Sequence, residues 1–217
     1  MEYGDRTSLG GAVAFDGALN HTHSRYYVSN DFYNMKSNGT LHILNRFETY
    51  QQTKEYTCGA DSALMVLNWY GRKKYHELAV SQLVEGHASK GSTVENIADF
   101  FDLIGWSVEF HADTNAKFET IAEVEKFFVD TVDSGTPVMI NCADWAGHWL
   151  VLIGIDTCGV KSAYDDVLIF ADSYDVTDHK QDGYYTFPLG RFLGMWREGI
   201  CAEKTEPYVQ PYIIAKP

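Results

Sequence analysis

Cys58 stands where a loop gives way to an amphipathic pattern, in Gln52-Thr-Lys-Glu-Tyr-Thr-Cys58-Gly-Ala-Asp-Ser-Ala-Leu-Met65. A thiol at the start of a helix meets unpaired backbone N–H groups and the positive end of the helix dipole. Both favour the thiolate, which is the reactive form. Gly59 leaves room for a substrate backbone near the sulfur. Gln52 lies in the loop before Cys58, and its amide, with the Cys58 N–H, can donate to an oxyanion forming on an attacked carbonyl. Losing one such donor costs roughly 10²–10³ in rate. Gln51 is the neighbouring candidate for the same task. The plain alternative is a buried cysteine at a helix start with a surface amide nearby; the Gln spacing and the helix that follows favour chemistry.

A thiolate nucleophile needs a base, and there are eight histidines to choose from. His21 and His23 form a lone HxH pair, weak evidence for a metal without further ligands. His76, His87, His111 and His179 lie in polar stretches, and His42 falls in a short strand. His148 differs. It follows Asp144-Trp-Ala-Gly147 and directly precedes the apolar run Trp149–Ile155, while Asp172 directly follows Val167–Ala171. Antiparallel pairing of the two runs brings the start of one beside the end of the other. Pairing Leu150 with Phe170 sets His148 opposite Asp172, whose carboxylate can then hold the imidazole in one tautomer. Asp156 sits at the far end of its strand, about 25 Å from His148 at the usual rise per residue. Asp144 is local but in a loop of undefined geometry, so Asp172 is the favoured partner.

Several elements must position these groups. Ala63, Leu64, Leu67 and Tyr70 share one helical face between Cys58 and Gly71. Ser92-Thr-Val-Glu95 has the spacing of a capping box with Ser92 as N-cap, followed by the stripe Val94, Ile97, Ala98, Phe101 and Ile104. A further helix is expected over 118–133, with Ile121, Val124, Phe128 and Val132 inward. Extended runs are expected at 41–47, 137–142, 149–155, 167–171 and 184–187. A last strand is expected at 208–214, on an edge because of Pro211. Helices first and strands later predict an α+β fold, a helical half packed on a C-terminal antiparallel sheet. Residues 1–40 read as an irregular N-terminal extension and 41–217 as one catalytic domain. Leu9-Gly10-Gly11 reads as a flexible glycine turn.

Composition narrows the partners. The 217 residues are 45% apolar and 22% charged, with a net charge of −13 from 30 acidic and 17 basic side chains. Nucleic-acid binding needs clustered Lys and Arg, so that class is disfavoured. No apolar run approaches the roughly 20 residues of a membrane span, and the first thirty residues lack a signal-peptide pattern. Cys58, Cys142, Cys158 and Cys201 have no zinc-ribbon or CxxC spacing. Cys142, in an apolar run, reads as a small buried hydrophobe.

Taken together, Gln52 before Cys58-Gly59, the helix ending Leu64-Met-Val-Leu-Asn-Trp-Tyr-Gly71, Gly147-His148-Trp-Leu-Val-Leu-Ile-Gly154 and Ala171-Asp172-Ser173 resemble the papain-like cysteine peptidases. They are most similar to the bacteriocin-processing family, whose catalytic domains cleave leader peptides after a double glycine. The resemblance spans about residues 48–175. It implies a papain-like fold, Cys58 as nucleophile, His148 as acid and base, Asp172 as orienter and Gln52 at the oxyanion. It also implies a peptide or peptide-like substrate, a thioester intermediate, and no metal or organic cofactor. The transporter members join this domain to membrane helices and an ATPase, which this chain lacks, and the His-to-Asp connection here is long. Cys58-Gly59 and Met65-Val-Leu-Asn68 also resemble phytochelatin synthase, which would pass the same acyl group to an amine. A non-catalytic peptide-binding domain of the same fold is the third possibility.

Overall fold

The computed structural model describes residues 30–85, 91–144, 147–176, 180–197 and 207–217. The expected N-terminal extension therefore lies mostly outside the described residues, as do Leu9-Gly10-Gly11, His21, His23, His87, His179, Trp145 and Cys201. Among the described residues the chain forms an antiparallel sheet with helices packed against it, the α+β arrangement expected from the sequence.

The elements in order are β1 (Leu41–Ile43), α1 (Cys58–Trp69), α2 (Glu77–Leu83), α3 (Val94–Leu103), β2 (Ser107–His111), α4 (Ile121–Asp133), β3 (Val138–Cys142), β4 (His148–Asp156), β5 (Val167–Ala171), β6 (Tyr184–Pro188), α5 (Leu189–Trp196) and β7 (Tyr212–Lys216). Among the described residues the sheet has seven strands, six of them in the order β2-β7-β3-β4-β5-β6, with β1 pairing β4 off this path. The division into helices then strands is thus incomplete: β1 precedes the helices, β2 falls between two of them, and α5 interrupts the sheet's last strands.

β4 is the central rail. Val138–Cys142 pairs antiparallel with Leu152–His148, and Gly154–Asp156 pairs with Ile43–Leu41 of β1. On its other flank β5 pairs with it, with a register shift between Leu152 and Gly154. Being covered on both sides and both faces, β4 reads as a continuous apolar run rather than an alternating one, and its residues from His148 to Ile155 are all buried. Helices α1 and α4 pack on β4, and α3 packs on β2 and β7.

Some local expectations shift. The strand expected over 41–47 stops at Ile43; Leu44 N still donates to Ile153 O, and the chain then turns through Arg46, whose φ is a left-handed 62°. The N-cap of α3 is Thr93, not Ser92: Thr93 Oγ1 accepts from Asn96 N at 3.1 Å. The capping box is found instead on α4, where Thr120 and Glu123 satisfy each other's backbone. The last strand begins at Tyr212 and lies inside the sheet between β2 and β3, not on an edge. Pro211 just precedes it, and its carbonyl accepts from Trp196 Nε1 and Asn141 N.

Candidate active site

α1 begins at Cys58, and its first intrahelical bond runs from Asp61 N to Thr57 O at 2.8 Å. The N–H groups of Cys58, Gly59 and Ala60 therefore open toward whatever lies before the helix. Thr57 occupies the N-cap position without capping. Its hydroxyl instead donates to Glu77 Oε1 at 2.7 Å, and Thr53 donates to the same carboxylate through its N–H (2.8 Å) and hydroxyl (2.7 Å). Glu77, buried at the start of α2, thus fastens the loop that delivers Cys58. α2 shows no apolar stripe in the sequence, so this role was not foreseen.

Asp61, one turn into α1, is 0% exposed, and neither carboxyl oxygen makes a well-formed hydrogen bond although Thr57 and Glu77 lie against it. Burial, then the charge of Glu77, holds its carboxyl well above the usual range.

Gly59 serves packing rather than substrate approach. A Cβ at this position would stand 3.0 Å from Ser92 Cβ and 3.1 Å from both Ile97 Cδ1 and Trp149 Cδ1. Trp149 is fixed in turn by donating from Nε1 to Ser92 O at 3.0 Å. The first turn of α1 therefore seats directly on α3 and β4.

His148 and Asp172 meet. His148 Nε2 lies 2.7 Å from Asp172 Oδ1, and both side chains are buried. The register behind this contact differs from the expected one by two residues: Leu152, not Leu150, pairs with Phe170. A shift of two preserves the face on which each side chain stands, so His148 reaches Asp172 along the diagonal. Tyr174 N donates to the same Asp172 oxygen at 2.8 Å, and the Tyr174 ring stands edge-on to the imidazole at 6.3 Å. Tyr174 also donates through its hydroxyl to Glu55 in the loop before α1.

With Nε2 committed to Asp172, Nδ1 is the imidazole nitrogen left for the Cys58 side chain, which is near enough to help raise the His148 pKa. Burial alone would push the His148 pKa down. The charge of Asp172, the hydrogen bond to it and the contact with Cys58 outweigh burial and lift it well above its ordinary value. The Asp172 carboxylate thus favours the charged form of the ring against its burial. Asp156, the disfavoured rival, accepts from Cys158 N at the opposite end of β4. His42 pairs with Asp133, also away from this cluster.

Gln52 is 0% exposed. Its Nε2 donates to Lys54 O at 2.7 Å, its Oε1 accepts from Ser173 Oγ at 2.8 Å, and its backbone N–H donates to Ser173 O at 2.9 Å. The Gln52 loop is thereby tied to the segment that carries Asp172. Gln51, the alternative, has both amide atoms buried and without a hydrogen-bond partner. Cys142, across the ladder from His148, is fully buried, and burial pushes its thiol up to about 11. Among the described residues no three His, Cys, Asp or Glu side chains are grouped as metal ligands, and no helix is long and apolar enough to cross a membrane.

Helices packed on one antiparallel sheet, with a cysteine at the start of α1 and a histidine at the start of β4, form the papain-like α+β architecture. The chain belongs to the Peptidase_C39 like family, whose model matches residues 44–200. Among solved structures it is similar to the peptidase domain of Streptococcus ComA, a bifunctional ABC transporter involved in a quorum-sensing pathway. That match has a TM-score of 0.52 and 16% identity, and covers 79% of this chain and 98% of that one. It is similar too to a double-glycine-motif protease from an AMS/PCAT transporter, solved with its leader peptide, at a TM-score of 0.49 and 18% identity, covering 78% and 90%. Among curated proteins none matches the chain.

Proposed function

We propose that this protein is a cysteine peptidase that hydrolyses an amide bond in a peptide or peptide-like substrate, with Cys58 as nucleophile. The observation that carries the reading is the buried His148, held at 2.7 Å by Asp172 on Nε2, with Nδ1 left for the helix-start Cys58, one of the groups that raise the His148 pKa. His148 takes the Cys58 proton, giving a thiolate–imidazolium pair. The sulfur attacks the substrate carbonyl, and its C=O electrons move onto the oxygen. The Cys58 N–H and the second hydrogen of Gln52 Nε2 stabilise that oxyanion. Collapse expels the amine, which takes the proton from His148, and leaves a thioester on Cys58. His148, now neutral, draws a proton from water as it attacks the thioester; acid is released and the pair is restored.

Asp172 keeps the ring oriented and supports its charge without itself taking the proton. Because Asp172 raises the His148 pKa against the effect of burial, activity falls as pH rises through that raised value.

The test is a digest of a defined peptide library read by mass spectrometry. The wild type is expected to generate new termini, and Cys58→Ala none, with its far-UV circular dichroism unchanged. Substantial cleavage by Cys58→Ala refutes the assignment.

A further inference from the structure

We propose that Ser173 is a positioning residue that holds the Gln52 amide with its N–H side toward the reacting carbonyl. The inference rests on Gln52 serving the oxyanion and goes further by naming what orients it.

An amide side chain is nearly symmetric in shape, so its orientation is set by what its two ends meet. Lys54 contributes a carbonyl, which only accepts, at 2.7 Å from Gln52 Nε2. That selects the nitrogen end. On the opposite end the Ser173 hydroxyl, 0% exposed, donates to Gln52 Oε1 at 2.8 Å. The reversed amide would set Oε1 against the Lys54 carbonyl, oxygen facing oxygen, so the two contacts together specify one state. The Ser173 carbonyl accepts from Gln52 N at 2.9 Å, which anchors the same residue by its backbone. Ser173 directly follows Asp172, whose carboxylate holds His148 at 2.7 Å. One dipeptide therefore fixes the base through Asp172 and the oxyanion donor through Ser173. With the hydroxyl gone, the amide keeps only the Lys54 contact and swings about its last torsion.

The test uses two small probes of Cys58 in the full chain. Iodoacetamide alkylates sulfur by direct displacement and develops no oxyanion, whereas p-nitrophenyl acetate acylates it through a tetrahedral oxyanion. Ser173→Ala is expected to slow acylation about tenfold or more, part of the roughly 10²–10³ assigned to one such donor, and to leave alkylation within about twofold. In a Gln52→Ala background, Ser173→Ala is expected to add nothing, the mark of two residues acting as one.

Equal losses with both probes, a fall of less than about twofold in acylation, or a full additional loss in the Gln52→Ala background would overturn the inference. A wild type whose Cys58 reacts with neither probe would instead overturn the underlying peptidase reading, and this inference with it. Gln52→Ala matching wild type while Ser173→Ala is impaired would overturn the link to Gln52 alone.

Discussion

Replacing Asp172 by asparagine removes one charge and little else. The asparagine oxygen can still accept from Tyr174 N, now 2.8 Å from Asp172 Oδ1, and the side chain keeps its shape. What is lost is the attraction across the 2.7 Å contact with His148, in a place where both side chains are buried. For charges centred about 4 Å apart at an effective dielectric of about 20, that attraction is about 4 kcal/mol. At about 1.4 kcal/mol per factor of ten, it corresponds to roughly three orders of magnitude in the population of the imidazolium form. Burial already drives His148 toward neutrality, and Asp172 is the largest influence opposing it, so the variant should lose the imidazolium that balances the Cys58 thiolate. The assay is the second-order rate of Cys58 alkylation by iodoacetamide across about pH 5.5–8.5, located by peptide mapping. At about pH 6 the variant is expected to react on the order of 10²–10³ more slowly than wild type, converging with it toward the ordinary thiol range near pH 8.5. Rates within about threefold at every pH, in a natively folded variant, would refute the reasoning.

Four further outcomes are expected. Glu77→Ala leaves the Thr53 and Thr57 donors without their carboxylate; at about 1.5–3 kcal/mol per hydrogen bond to a charged group, urea denaturation should show a loss of at least about 3 kcal/mol, and a loss under about 1 would contradict the brace. Asp61 has a raised folded pKa, so its contribution is full below the unfolded value near 3.9 and is lost as pH rises through the folded one. Asp61→Asn should therefore gain on wild type in melting temperature as pH rises, whereas parallel curves would contradict a raised Asp61 pKa. Gln52→Ala is expected to lower turnover roughly 10²–10³-fold and Gln51→Ala less than about fivefold; the reverse order would move the oxyanion donor to Gln51. Gly59→Ala drives a methyl into Ser92, Ile97 and Trp149 and should cost about 1–3 kcal/mol, which a thermal melt at constant pH would reveal or deny.

The elements that were legible in the sequence are those whose burial is periodic or continuous. Val94, Ile97 and Phe101 mark the inner face of α3, Val124, Phe128 and Val132 that of α4, and the unbroken apolar runs of β3, β4 and β5 announce strands covered on both faces. α2 was not legible, because it is short, exposes Leu78 and Leu83, and buries Glu77 and Ser81. α5 drew no expectation from the sequence; it follows Pro188 directly and carries two glycines, Gly190 and Gly194, which weaken a helical signal. β2 has no buried residue and owes its place to pairing with β7.

The meeting of His148 with Asp172 was anticipated from a register two residues off, and it survived because pleating repeats every two residues. The exact pairing depends on the irregularity between Leu152 and Gly154, where a Cβ on Gly154 would meet the His42 carbonyl at 2.9 Å. The support of the site was the least legible part. Glu77 and Ser173 are ordinary polar residues in sequence, and only the close approach of distant segments gives them partners.

The central claim is that one sulfur, at residue 58, forms a covalent bond to substrate. Its most direct test is acid quenching of a reaction between the protein and a peptide it cleaves, followed by peptide mapping of the acyl-protein. The account predicts an acyl group in thioester linkage on Cys58, absent from Cys142 and Cys158, and lost on treatment with hydroxylamine. Peptide cleavage that proceeds with no adduct on Cys58, and continues in Cys58→Ala, would contradict it.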